Sequence, residues 1–158
     1  MTAVYIENYI TVNKKVKTAL KHGLTPLVCI GNSHEEKSLG VSAETVIKQM
    51  KINLFEIDKQ HPAQVVIAYG PIWAINKNGI AATPEEAQYI HHQLRSALVE
   101  LYGQQIAYQM ILLYGGSVNL ENSTSLIAQP DIDGLFIGRS AWQATGFCNI
   151  LSAINQQN

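Results

Sequence analysis

Ionisable and nucleophilic side chains are scattered in this sequence, and the segments best suited to holding a ligand are turns built on glycine. Gly115-Gly116-Ser117 follows one apolar run and Gly138-Arg139-Ser140 follows another. Converging backbone N–H groups bind anions, above all at helix starts. Glycine lets the backbone approach a ligand closely, and serine adds a hydroxyl. Arg139 either adds charge or points away and leaves only its N–H. Asp131 and Asp133 are spaced like a carboxylate pair. His91 and His92 are neighbours within a helical pattern and so face different directions. No further His or Cys completes a ligand set around them, so no metal site is expected. Cys29 sits in an apolar run and reads as a small buried hydrophobe rather than a nucleophile. His22 and His34 stand alone near segment ends and read as solvated.

Elements must hold these turns, and the chain supplies a repeated strand–helix order. Lys14–His22 places Val16, Ala19 and Leu20 on one helical face, with Gly23 positioned to stop it. Leu24–Ile30 reads as a strand. Its run Leu27-Val28-Cys29-Ile30 is continuously apolar, the pattern of a strand buried on both faces. Ser42–Phe55 is a helical stripe with Ser42 as N-cap. A second strand spans Gln64–Tyr69, and a loop runs from Gly70 to Ala82. Thr83-Pro84-Glu85-Glu86 opens the next helix with an N-cap, Pro at the first position and Glu at the third, and Gly103 ends it. Strands over Gln109–Tyr114 and Ile132–Ile137, and helices over Glu121–Ala128 and Gly146–Asn155, complete the order. This predicts a parallel α/β sheet with one face to helices. A small doubly wound sheet and half of an eightfold (β/α) barrel both satisfy it.

The chain has 158 residues, 47% hydrophobic and 15% charged, with mean hydropathy near zero. That excludes disorder and suits one domain over residues 1–158. The net charge is −1 and no basic stripe is present, so nucleic acid is not an expected partner. No apolar run approaches the ~18 residues of a membrane span. Two cysteines make no disulfide framework, and the first residues show no basic or apolar leader pattern; a reducing, cytoplasmic setting is expected.

Three segments go beyond pattern: Ala68-Tyr69-Gly70-Pro71-Ile72-Trp73-Ala74-Ile75, Tyr114-Gly115-Gly116-Ser117-Val118, and the stretch from Gln129 to Gly138. In this order and spacing they resemble the C-terminal part of the triosephosphate isomerase family. Pro26–Gly31 is similar to that family's fifth strand, and Thr83-Pro84 to its sixth-helix start. The resemblance runs from about Glu7 to the end. Asn78-Gly79-Ile80 and Ile137–Trp142 are more similar to the branch that isomerises tetrulose phosphates such as erythrulose phosphate. The resemblance implies βα units five to eight of a (β/α)8 barrel. It also implies an aldose–ketose isomerase of a phosphorylated triose or tetrose in carbohydrate metabolism, with no cofactor.

By resemblance, phosphate contacts fall on Gly115, Gly116, Ser117, Gly138 and Arg139, and on Asn76 in the closing loop. Pro71, Ile72 and Trp73 form the lid segment, where Trp73 reads equally as a lid anchor and as packing. Asp131 matches an aspartate that pairs with the sixth helix, with Arg95 as candidate partner. Glu7 matches a buried structural glutamate near the dimer interface. The sequence departs from the family where chemistry is concentrated. Gly70 occupies the position of the catalytic glutamate, and glycine cannot take a proton from carbon. The family's catalytic lysine and histidine belong to N-terminal units and have no counterpart here. The chain alone is therefore expected not to isomerise efficiently. The alternative is a non-catalytic phosphate-binding half barrel. An open sheet has unpaired edges and a bare inner face, so self-association or pairing with a complementary N-terminal half barrel is also expected.

Overall fold

The computed structural model describes residues 7–58, 61–75 and 81–156. Helix α1 (Tyr9–Lys21) starts well before Lys14 because Asn8 and Thr11 cap it reciprocally. The Thr11 N–H donates to Asn8 Oδ1 at 3.0 Å and the Asn8 N–H to Thr11 Oγ1 at 3.1 Å. Gly23, at φ +70°, ends it as its position predicts. Strand β1 (Leu27–Ile30) follows, then α2 (His34–Ser38) and α3 (Ser42–Asn53). The short α2 was not foreseen; Ser33 and Glu36 form its capping box. Ser42 lies inside α3 instead of capping it. Val41 is the N-cap, and the Ser42 hydroxyl accepts from Asn32 Nδ2 at 2.9 Å.

Gln64 belongs to a 3-10 turn, and β2 is Val66–Tyr69. A single-turn helix, α4 (Ile72–Ile75), precedes α5 (Pro84–Tyr102). Thr83 and Glu86 cap α5 reciprocally, and Gly103 at φ +84° ends it, both as predicted. The unforeseen α6 (Gln104–Ala107) leads into β3 (Ile111–Tyr114). Next come α7 (Ser123–Ile127), β4 (Gly134–Leu135), a 3-10 turn over Arg139–Ala141 and α8 (Ala144–Asn155). The fourth strand pairs over two residues only, where the apolar run had suggested Ile132–Ile137.

The four strands are parallel and stand in the order β1-β2-β3-β4. A doubly wound sheet reverses strand order at a switch point and is covered on both faces. Here the order never reverses and the helices lie on one face, which is the arrangement of half a (β/α)8 barrel. Val28, Ile67 and Leu112 stand in one row against the helices, and Ile30, Tyr69, Tyr114 and Leu135 in the next. Val46, Met50, Leu94, Leu98 and Leu126 pack there, each almost fully buried.

The opposite face is open. Leu27 and Ile111 are each 43% exposed, and the Cys29 side chain is exposed. The reading of β1 as buried on both faces is therefore corrected, and with it Cys29 as a buried hydrophobe. The strand alternates exposed and buried residues because only its helix side has a cover. An apolar run shows that both faces can be buried, not that both are.

Behind the sheet, Arg95 on α5 is 3% exposed. Its Nη1 donates to the carbonyls of Ala107 and of Met110, the latter at 2.8 Å, and its Nη2 binds Asp133 at 2.6 Å. Asp133 also accepts the Leu112 N–H at 2.7 Å. The expected partner Asp131 stands 3.9 Å from Arg95 Nε, and its carboxylate accepts from Gln88 at 2.6 Å and pairs with the exposed His92 at 3.1 Å. The ion pair therefore forms chiefly two residues further on, at Asp133. In this chain Glu7 is exposed and pairs with Lys15. His22 and His34 are exposed as expected.

His91 is fully buried beside Tyr69 and Tyr114, with ring centroids at 5.9 and 6.2 Å. Its Nδ1 lies 3.1 Å from the Asp131 carbonyl oxygen, which a neutral ring donates to. Burial pushes its pKa down to about 4. The folded state thus resists a proton that the unfolded chain accepts near pH 6.5. Stability contributed by neutral His91 is complete above pH 6.5 and falls as pH drops toward 4, by up to about 3 kcal/mol. Urea unfolding at pH 7 and pH 5 should show this loss, and His91→Gln should flatten it. Arg95→Met leaves the buried Ala107 and Met110 carbonyls unpaired and should cost about 3 kcal/mol in the same assay.

Candidate functional site

Three loops leave the C-terminal ends of β2, β3 and β4 and meet. The backbone ladder continues past the strands: Gly70 N–H donates to Ile30 O at 2.9 Å, Gly115 N–H to Tyr69 O at 2.8 Å, and Phe136 N–H to Tyr114 O at 2.8 Å. Gly70, Gly115 and Phe136 therefore stand in one row, one step beyond the outward-facing Tyr69, Tyr114 and Leu135. A side chain at position 70 points to the open face, at the mouth. Its Cβ would stand 3.0 Å from Ile75 Cδ1 and 3.5 Å from the Gly115 carbonyl oxygen.

Side-chain bonds to carbonyls tie the loops together. Ser117 Oγ donates to the Ala74 carbonyl, Ser140 Oγ to Val118 O at 2.8 Å, and Arg139 Nη2 to Ile75 O at 3.4 Å. Between them lies a cleft of about 580 Å³, lined by Ile75, Gly115, Ser117, Phe136, Gly138 and Arg139 among others. Ser117 holds φ at +51°, a left-handed conformation unusual for a residue other than glycine. Turns containing such residues make the concave nests that hold anions. Gly116 is buried, and a Cβ there would fall on the Tyr114 hydroxyl and 3.1 Å from Pro71 Cδ. Gly138 has open space where its Cβ would be. The structure thus gathers Gly115, Ser117, Gly138 and Arg139 around one cleft, with Gly116 buried behind Gly115 and Ser117. Asn76 lies outside the described residues.

The segment expected to form a lid is anchored. Pro71 is buried, and Ile72, which is exposed, gives its N–H to Asn32 O at 2.9 Å. Trp73 packs against the core, and Lys37 Nζ stands 3.7 Å above its ring. Lys37 also pairs with Glu86 at 2.8 Å. Of the two readings of Trp73, packing describes what its ring does here. Sequence reasoning missed Ser140, Ile75 and Phe136 as site residues. Ser140 stood inside the singled-out turn; the other two are apolar and carry no chemical signal of their own.

Residues 3–154 match the sequence profile of triosephosphate isomerase. The chain belongs to the triosephosphate isomerase family. It is 45% identical to the triosephosphate isomerase of Chloroflexus aurantiacus over 140 residues, which is 89% of this chain and 56% of that protein. It is 40% identical to that of Fusobacterium nucleatum over 144 residues, 91% and 57% of the two chains. It is 41% identical to the L-erythrulose-1-phosphate isomerase of Rhizobium etli over 146 residues, 92% and 53% of the two chains. The chain spans about half the length of the curated relatives it matches.

For this triosephosphate isomerase family chain, the two glycine turns differ in what they tolerate. Gly116→Ala forces Tyr114 or Pro71 to move and should destabilise by about 1–3 kcal/mol. Gly138→Ala meets nothing and should stay within about 0.5 kcal/mol of the parent. Urea unfolding of the two variants side by side checks both.

Proposed function

We propose that this chain forms the phosphate-holding part of a triosephosphate isomerase-type site, for a phosphorylated triose or tetrose, without a base of its own. The carrying observation is the convergence of Gly115–Ser117 and Gly138–Ser140 on one cleft at the C-terminal end of a parallel sheet. In barrels of this architecture the loops after the last two strands are the usual phosphate site. Backbone N–H groups of Gly116, Ser117 and Gly138 would take the anionic oxygens, and Arg139, already at the rim, would add charge. The relative from Rhizobium etli supports the four-carbon arm of the substrate class, and those from Chloroflexus and Fusobacterium the three-carbon arm.

The isomerisation moves a proton from the carbon bearing the hydroxyl to the adjacent carbonyl carbon, and another between their two oxygens. It needs a carboxylate within hydrogen-bond reach of the C–H, a step worth about 10²–10⁴-fold. Position 70 faces the mouth and would place such a group, but its residue is glycine. By family likeness the assisting lysine and histidine come from N-terminal barrel units. The reading is therefore of a site that binds without turning over.

Titration of the ¹⁵N-labelled chain with inorganic phosphate should move the amide resonances of Gly116, Ser117, Gly138 and Arg139 ahead of all others. Arg139→Ala should weaken the effect several-fold, and unmoved amides overturn the reading. In a coupled isomerase assay the chain should not exceed background. When it is mixed with an N-terminal half barrel carrying the lysine and histidine, Gly70→Glu should gain at least ~10²-fold over the parent mixture. Turnover by the unaltered chain at a comparable rate removes Gly70 from the explanation.

A further inference from the structure

Helix α7 opens on a residue that does not cap it. An asparagine at the N-cap ordinarily lets its side-chain oxygen accept an amide two or three residues further on. Asn122 holds the N-cap position and makes no such bond. Its Oδ1 instead accepts the Asn119 N–H at 2.8 Å, and its Nδ2 donates to the Ser117 carbonyl oxygen at 3.2 Å. Asn119 returns the grip, its Oδ1 accepting the N–H groups of Glu121 at 2.9 Å and Asn122 at 3.1 Å. The Asn122 side chain is thus spent backwards, on the glycine turn, and the five-residue helix goes without its cap.

Ser117 is the residue that needs such a hold. It stands at φ +51°, where a Cβ crowds its own backbone and a free serine is rarely found. A residue's two dihedrals relate the peptide plane before it to the plane after it. Asn122 holds the plane after, through the Ser117 carbonyl, while the Ser117 hydroxyl, bonded to the Ala74 carbonyl, holds the side chain. Ser140 Oγ ties the next peptide through Val118 O at 2.8 Å. Left-handed turns bring successive N–H groups toward one point, and a return of Ser117 to negative φ would break that convergence. Asn122 itself is not among the residues that line the cleft.

We infer that Asn122 is a positioning residue for the phosphate site: it keeps Ser117 left-handed, and so keeps the turn ready for an anion that Asn122 does not touch. The inference rests on the reading of the cleft proposed above.

Asn122→Ser retains a good N-cap and adds no charge, but its short side chain cannot reach the Ser117 carbonyl, so the far-UV dichroism should stay as in the parent. In titrations with inorganic phosphate, the midpoint read on the Gly138 amide should rise about tenfold. In a chain that also carries Ser117→Gly, positive φ is free of strain, and adding Asn122→Ser should raise the midpoint no more than about twofold. A general loss of stability would weaken both backgrounds alike. Three-bond couplings about φ of residue 117, measured without phosphate, give a second reading. They should lose the pattern of positive φ in Asn122→Ser, and also in Asn122→Asp, whose added charge disturbs affinity but leaves the couplings interpretable. An unchanged midpoint, equal weakening with and without Ser117→Gly, or a positive φ kept in both variants overturns the positioning role and leaves the phosphate site standing. Parent amides unmoved by phosphate overturn the site itself, and the inference with it.

Discussion

The Arg95 guanidinium reaches from the middle of α5 to the end of α6, the approach to β3 and the approach to β4. A charge this deeply buried is stable only when most of its donors are taken, because desolvating it costs several kcal/mol. Its Nη1 and Nη2 meet the Ala107 and Met110 carbonyls and the Asp133 carboxylate, while Nε stands 3.9 Å from Asp131 without a hydrogen bond, and Asp133 in turn holds the Leu112 N–H. One planar group thereby fixes where β3 begins and where β4 stands beside it. The turns that follow those strands inherit that placement, so the geometry of the cleft is set from its far side.

The sheet has two unlike faces. Its helix side is a close-packed apolar layer with a buried polar seam, in which Tyr69 gives its hydroxyl to Asn32 at 2.9 Å and sits edge-on to His91. Burial raises both tyrosine pKa values, that of Tyr114 to about 12, so these rings remain neutral. The other side ends at the mouth in a row of Gly70, Gly115 and Phe136, which leaves room there and offers no carboxylate. Binding and chemistry separate cleanly in such an arrangement. On the proposed reading, backbone amides would hold the anion, while the proton transfer would need a carboxylate at position 70 and the groups supplied by N-terminal units.

Most of the fold was legible because local chemistry and tertiary packing agree in it. Thr83, Pro84 and Glu86 announced the start of α5, and Gly23 and Gly103 the ends of α1 and α5. The glycine turns announced the cleft. What escaped was of two kinds. Short elements such as α2 and α6 are too brief for a periodic signal, and the cap at Asn8 opposes weak helix formers in the first turns of α1. Non-local facts were invisible as well. Alternation in β1 depends on whether another layer covers it, and the choice between Asp131 and Asp133 depends on side-chain reach across an interface. Ser42 looked like a cap because its type is right, yet Asn32 claims its hydroxyl.

The segment around Trp73 is held quite differently from β3 and β4. Helix α2 buries none of its residues, and Lys37 on it bridges the Trp73 ring and Glu86, which is also the capping residue of α5. These groups are partly solvated, so dissolved ions reach and screen them, whereas the bonds of Arg95 to the buried Ala107 and Met110 carbonyls are shielded. Ionic strength therefore acts on this molecule selectively. Raising it should weaken the Lys37 contacts to Trp73 and Glu86 more than the bonds of Arg95 to buried carbonyls, so that the segment at Trp73 and the floor of the cleft answer to different solution variables.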